Sequence, residues 1–381
     1  MKLSRMLLLP LLALLPSFAA ACGDGSTQAT GGGGTGASNT TDGGGGSGAS
    51  DAGSGGAPAG GSGGTQTTGG GGAGGSTTTT GGGGTGGSMM ALDPTQKGPY
   101  QTMVMDDSIT VGDHDVPIHA VYPVGGPDDG PYPVVVVGHG FQLPASQYYK
   151  YVEHLASFGY VALTADFPTS LFGGVDNPGN AADMLAGLDW AEANLAGKAD
   201  TELSGMTGHS LGGKIALLAA TKDPRVKASI VLDPVDGGGG PGGGCQPPGC
   251  VDVSALMPNL NIPTGFLGET TDAMGGFQPC APAAENYMTF YAGAKSPSFA
   301  VTIKGANHMS FLDDVASCGF TCNFCNMASL DNATVNGMAR AYVVAFYERH
   351  LRGNTGYDTW LTGAKAQELY VQPGIATIES K

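Results

Sequence analysis

From about residue 100 onward the apolar positions follow two alternating periods. Short runs rich in valine, isoleucine and aromatic residues read as strands, and longer stretches with apolar side chains every three or four positions read as helices. Strands are predicted at Val116–Val124, Pro133–Val137, Tyr160–Ala165, the residues leading to Gly208, Ala228–Leu232, Thr264–Leu267 and Ser298–Ile303. Helices are predicted at Ser146–Ser157, Ala181–Leu195, Leu211–Ala220, Ala283–Ala292 and from about Thr334 to Leu351. A Gly/Pro-rich loop fills 237–261. The run Val134-Val135-Val136-Val137 is apolar on both faces, which places its strand at the centre of a sheet covered on both sides. Strand alternating with helix predicts an α/β fold, a mostly parallel central sheet flanked by helices.

The N-terminal pattern is different. Lys2 and Arg5 precede an apolar run from Met6 to Ala21, and Ala19-Ala20-Ala21 stand directly before Cys22. A cationic start, an apolar middle and small residues before a cut make a secretory signal peptide over 1–21. The run is short and broken by Pro10 and Pro16, so it spans a bilayer poorly. Small residues ahead of a cysteine resemble the lipobox of bacterial lipoproteins. Cys22 is therefore the expected lipidation site, holding the chain at a membrane; plain cleavage at the same bond gives a secreted chain instead. Several acyl chains on one cysteine anchor stably where one chain does not.

Composition divides the remainder. Of 68 glycines, 31 lie within Gly23–Ser88, a stretch with three acids, no bases and no aromatic residues. Such a segment cannot bury enough apolar surface to offset its ordering entropy. As a coil it spans roughly 40 to 50 Å, a spacer ahead of one domain at 89–381. That domain carries −15 of the formal charge of −16. It offers no basic face for phosphates, which argues against a nucleic-acid partner.

Seven cysteines are present, and six remain beyond Cys22: Cys245, Cys250, Cys280, Cys318, Cys322 and Cys325. An even number in an exported chain reads as disulfides. Proximity pairs Cys245 with Cys250 and leaves the other four open. The spacing Cys318-x3-Cys322-x2-Cys325 is also that of a radical-enzyme iron–sulfur motif, which belongs in reducing cytosol near the start of a barrel, not late in an exported domain. A zinc site on the same cysteines lacks an adjacent histidine.

The chemistry centres on Gly208-His209-Ser210-Leu211-Gly212, a G-x-S-x-G sequence between a predicted strand and a predicted helix. That turn exposes the serine hydroxyl at a helix N-terminus, where the dipole favours developing negative charge. A serine needs a base, and the base needs an orienting carboxylate. In the chain order of this motif the base follows the acid. His308, just past the last predicted strand, is the candidate, whereas His350 sits in a basic helix end and reads as a solvated cation. Asp233, Asp236 and Asp272 all lie at carboxyl ends of predicted strands, and spacing does not choose among them. The amides of Leu211 and of Phe141, in Gly138-His139-Gly140-Phe141, are candidate oxyanion donors.

Five ordered segments carry a resemblance over about Pro133 to Leu351. They are Gly138-His139-Gly140-Phe141, Gly208-His209-Ser210-Leu211-Gly212-Gly213-Lys214, Asp233-Pro234-Val235-Asp236-Gly237, Pro279-Cys280-Ala281-Pro282, and His308 followed by Leu312-Asp313-Asp314 and clustered cysteines. Together they resemble the chlorophyllase branch of the α/β-hydrolases, a set of serine esterases. The core is also similar to plasma platelet-activating-factor acetylhydrolases. The resemblance implies Ser210 as nucleophile, His308 as base and Asp233 as acid, with no metal or organic cofactor. Cutinases and polyester hydrolases are similar around the serine but place the acid where Asp272 stands. Plant chlorophyllases usually carry arginine after the serine, and this chain has Leu211, so chlorophyll itself fits poorly. An ester with an apolar acyl or alcohol part suits Leu211, Phe141, Phe167, Phe172 and Met309 if they line the cleft. Polyester hydrolysis of the cutinase kind, transfer of the acyl group to an alcohol, and a binding module without catalysis are the alternatives.

Overall fold

The structure, a computed structural model, describes residues 91–169, 176–237, 248–274 and 279–381, and of 320 and 321 the backbone alone. The export signal, Cys22 and the spacer expected over 23–88 lie outside the described residues, as do Phe172 and Cys245.

The strands are β1 (Gln101–Val111), β2 (His114–Gly125), β3 (Tyr132–Gly138), β4 (Val161–Ala165), β5 (Ala199–His209), β6 (Val226–Leu232), β7 (Thr264–Glu269), β8 (Ser298–Ile303) and β9 (Ala376–Ser380). They form one nine-stranded sheet in the order β1-β2-β4-β3-β5-β6-β7-β8-β9. Neighbours from β4 to β8 are parallel, while β2 on one side and β9 on the other run antiparallel. This is the mostly parallel, helix-flanked sheet that the periodicity predicts.

Why the sheet is covered on both faces follows from β3. Successive side chains of a strand point to opposite faces. Val134 and Val136 pack in one core with Met184, Leu188, Ile215 and Leu217, while Val135 and Val137 pack in the other with Val152, Leu155, Val343 and Phe346. The first core belongs to α2 (Asn177–Asn194) and α3 (Leu211–Ala220), the second to α1 (Tyr149–Ser157) and α5 (Asn332–His350). A fourth helix, α4 (Tyr287–Gly293), joins the α2–α3 side through Tyr287, Phe290 and Tyr291.

Helix ends moved where caps decide them. The Asp176 carboxylate accepts from the Gly179 amide at 2.9 Å, which starts α2 at Asn177, four residues before the expected start. The side chain of Asn286 accepts from the Met288 amide at 3.2 Å and delays α4 to Tyr287. Strands β1 and β9 escaped the sequence pattern because they are sheet edges; β1 buries no residue fully and β9 only Ala376.

The topology places a crevice. After β3 the chain passes through α1 to β4 on one side; after β4 it passes through α2 to β5 on the other. The strand order reverses there, so loops leaving β3 and β5 diverge and open a cleft at their carboxyl ends. Among the described residues no helix is long and apolar enough to cross a membrane.

Candidate active site

Ser210 stands at that cleft, between the last residue of β5 and the first of α3. Its backbone is at φ 56°, ψ −122°, and its amide donates to Leu232 at the end of β6 at 3.0 Å. The tight turn explains the flanking glycines. A Cβ on Gly208 would lie 2.5 Å from the Gly212 backbone, and one on Gly212 would lie 2.3 Å from the Gly138 carbonyl oxygen. Any side chain there would push the Ser210 turn off the central strand.

His308 lies 3 % exposed in the loop after β8, and every polar group it carries has a partner. Its Nε2 is 2.8 Å from Ser210 Oγ and its Nδ1 is 2.6 Å from Asp233 Oδ2. Its amide donates to Asp272 Oδ2 at 2.9 Å, and its carbonyl accepts from His209 Nε2 at 2.8 Å. An ionised Asp233 only accepts, so Nδ1 carries the proton and Nε2 is free to accept from the serine hydroxyl. Burial pushes the Asp233 carboxyl up, and the hydrogen bond and charge of His308 pull the other way.

The three carboxylates that the sequence left open now differ in what they touch. Asp233, fully buried at the end of β6 with φ 43°, meets the His308 ring. Asp236 accepts from the Val253 and Ser254 amides at 3.0 and 2.7 Å and pairs with buried Lys214 at 3.2 Å. Among the described residues the Asp272 carboxylate accepts from backbone amides, those of His308 and of Asn326 at 2.9 and 2.7 Å. Asp272, the position that the cutinase resemblance offers for the acid, therefore holds the main chain of His308 and not its ring.

Sequence reasoning missed Glu269. The expected strand stops at Leu267, but β7 runs two residues further, and Glu269 is fully buried there. Burial first and the charge of Asp233 second push its pKa up to about 9. Its carboxyl accepts from the amides of Thr271 and Asp272. A charged residue closing an apolar run was the available signal.

The Phe141 loop is tied at several points. The Gly140 amide donates to Tyr148 Oη at 3.1 Å, and His139 places Nδ1 2.9 Å from the Gly140 carbonyl and Nε2 3.0 Å from that of Phe167. Gln142, at φ 57°, donates from its side chain to the Thr169 carbonyl at 2.7 Å. Among the described residues neither the Phe141 nor the Leu211 amide is paired with a protein acceptor. Leu211 and Met309 are nearly buried, whereas Phe141 is half-buried. Phe167 is 1 % exposed and stacks on His139, so it is core rather than cleft wall.

Two further expectations are corrected or filled in. His350 is not a solvated cation; burial and neighbouring Arg349 push its pKa down to about 4. Cys280 pairs with Cys325 and Cys318 with Cys322. Cys250 is also disulfide-bonded, and Cys245, its expected partner, lies outside the described residues. Asp272, Cys280 and Cys325 come close enough together to suggest a metal site, but both sulfurs are spent in a disulfide and offer no thiolate.

Comparison with known proteins gives the following. The sequence model of the chlorophyllase family matches residues 92–367. Chlorophyllase-2 of Arabidopsis thaliana is 30% identical over 208 residues, 49% of this chain, and the chain spans only 63% of that relative's length. The bis(hydroxyethyl) terephthalate hydrolase of Streptomyces coelicolor is 29% identical over 295 residues, 74% of this chain and 81% of the relative. Cutinase 1 of Thermobifida cellulosilytica is 25% identical over 190 residues, 48% of this chain and 63% of the relative.

Proposed function

As the chain belongs to the chlorophyllase family, an α/β-hydrolase family, we propose that it is a serine carboxylic-ester hydrolase working through an acyl-enzyme. The observation that carries this reading is the His308 ring, which bridges Ser210 Oγ at 2.8 Å and Asp233 Oδ2 at 2.6 Å. Ser210 Oγ attacks the ester carbonyl carbon as its proton passes to His308 Nε2. Asp233 keeps the ring in the tautomer that can take that proton and stabilises the imidazolium that forms. The oxyanion is held by the amides of Phe141 and Leu211; each such donor is worth about 3 to 4 kcal/mol of transition-state stabilisation. Collapse of the tetrahedral intermediate breaks the bond to the alcohol, which leaves with the proton from His308. Water, deprotonated by the same nitrogen, then releases the acid.

Hydrolysis fits the names of relatives that include chlorophyllases, a terephthalate ester hydrolase and a cutinase. Half-buried Phe141, and Leu211 as the residue after the serine, suit an ester with an apolar acyl or alcohol part. Hydrolysis of p-nitrophenyl butyrate by the wild type and by Ser210→Ala tests the reading. The variant is expected to fall to background, and equal rates would sink the serine mechanism.

A further inference from the structure

A second chain of hydrogen bonds runs behind the serine and uses no group of the proposed reaction. The Gly140 amide donates to Tyr148 Oη at 3.1 Å, Tyr148 Oη lies 2.8 Å from His209 Nδ1, and His209 Nε2 lies 2.8 Å from the His308 carbonyl oxygen. Its polarity is determined. A carbonyl only accepts, so His209 carries its proton on Nε2. Burial holds the His209 pKa well below its ordinary value, which keeps the ring neutral and makes Nδ1 an acceptor. Tyr148 must then donate its hydroxyl proton to Nδ1 and accept from Gly140 with its lone pair. Tyr148 and His209 are both fully buried, so no water competes for these bonds.

The links join three segments that are far apart in sequence. Gly140 precedes the amide of Phe141, His209 precedes Ser210, and the receiving carbonyl belongs to His308 itself. Tyr148 and His209 are 61 residues apart, and His209 and His308 are 99 apart. Either ring could fill this part of the core as phenylalanine; only the polar atoms make a continuous path.

We propose that Tyr148 and His209 are a positioning pair that locks the Phe141 loop to the His308 backbone, fixing the oxyanion donor and the base at one separation across the nucleophile. The pair rests on the assignment of Ser210 and His308 in the proposed function, and it acts through those groups without touching the ester. Misplacing a donor or base by a fraction of an ångström lowers the rate of the chemical step more than it weakens binding.

The test is a double-mutant cycle on the folded enzyme with p-nitrophenyl butyrate, with Ser210→Ala alongside. Tyr148→Phe keeps the ring and removes the hydroxyl. His209→Gln keeps an N–H within reach of the His308 carbonyl and removes the acceptor for Tyr148. Each variant is expected to lower kcat about 10- to 100-fold with KM within about threefold. The double variant is expected to be no slower than the worse single one, because either change already breaks the same link. Losses that multiply, or a kcat for Tyr148→Phe within twofold of wild type, overturn the pair. Should Tyr148→Phe not fold, His209→Gln decides alone, a kcat within twofold again refuting it. An active Ser210→Ala would instead refute the serine assignment, so the two failures are distinguishable.

Discussion

Exchanging the two carboxylates that flank His308 for amides separates holding the ring from holding the backbone. Asp233→Asn replaces the acceptor 2.6 Å from Nδ1 by a group that can turn its amide toward the ring. The imidazole then shifts its proton to Nε2, the atom that must accept from Ser210. The same exchange in a Ser-His-Asp triad lowers kcat about 10⁴-fold, roughly 5.5 kcal/mol of barrier. Stability changes little, since burial already opposes the Asp233 charge. Asp272→Asn acts the other way. The two oxygens of Asp272 accept one amide each, from Asn326 and His308, and an asparagine keeps only one acceptor. One buried N–H is left facing a donor, at about 1 to 3 kcal/mol. For a domain of this size that is a fall in Tm of about 2 to 10 °C. The His308 main chain relaxes with it, lowering kcat by no more than about 100-fold. Steady-state hydrolysis of p-nitrophenyl butyrate and thermal unfolding by circular dichroism, at one pH, read both quantities. A larger loss of kcat for Asp272→Asn than for Asp233→Asn would show that the acid stands at the end of β7, and the assignment would be wrong.

The two fully described disulfides are expected to differ in both stability and activity. Closing the Cys280–Cys325 loop of 45 residues removes about 4 kcal/mol of unfolded-chain entropy, against about 2 kcal/mol for the four-residue Cys318–Cys322 loop. Cys325 also adjoins Asn326, whose amide holds Asp272, so Cys280→Ser/Cys325→Ser should lower kcat where Cys318→Ser/Cys322→Ser does not; equal kcat values in the two double variants would contradict this. The third prediction concerns Glu269, whose ordinary pKa of 4.5 is raised to about 9. Between those values the folded chain keeps a proton that the unfolded chain releases. Its contribution is fully present below pH 4.5 and is lost as pH rises through about 9, at up to about 1.4 kcal/mol per pH unit. Glu269→Gln should therefore flatten the fall in urea midpoint between pH 5.5 and 8.5, and parallel curves for the two proteins would refute it.

What the sequence carried and what it hid divide along physical lines. The valines of β3, the strand-to-helix setting of Ser210 and the place of His308 after the last parallel strand are local patterns, and each survived. The edge strands β1 and β9 were missed because a strand that buries little on either face shows no alternation. The acid was open because Asp233, Asp236 and Asp272 share one local signature, a carboxylate just past a strand. Only the pairing of β6 and β7 with the loop after β8 distinguishes ring from backbone contact. Tyr148 and His209 were invisible as a pair for the same reason, since nothing periodic connects residues so far apart.

Backbone strain supplies an argument for the site that no side-chain motif contains. Among the described residues, Gln142, Ser210 and Asp233 are the three non-glycine residues with positive φ, at 57°, 56° and 43°. Each costs of order 1 to 3 kcal/mol and persists only where its surroundings over-determine it. They follow β3, β5 and β6, three consecutive strands of the sheet, at the edge where the strand order reverses. One aims the Phe141 loop, one the hydroxyl, one the carboxylate. Neither Asp236 nor Asp272 shows this conformation, although both were eligible as the acid. Positive φ at these three points, and not at Asp236 or Asp272, is independent of the hydrogen bonds around His308 and supports the proposed roles of Ser210 and Asp233.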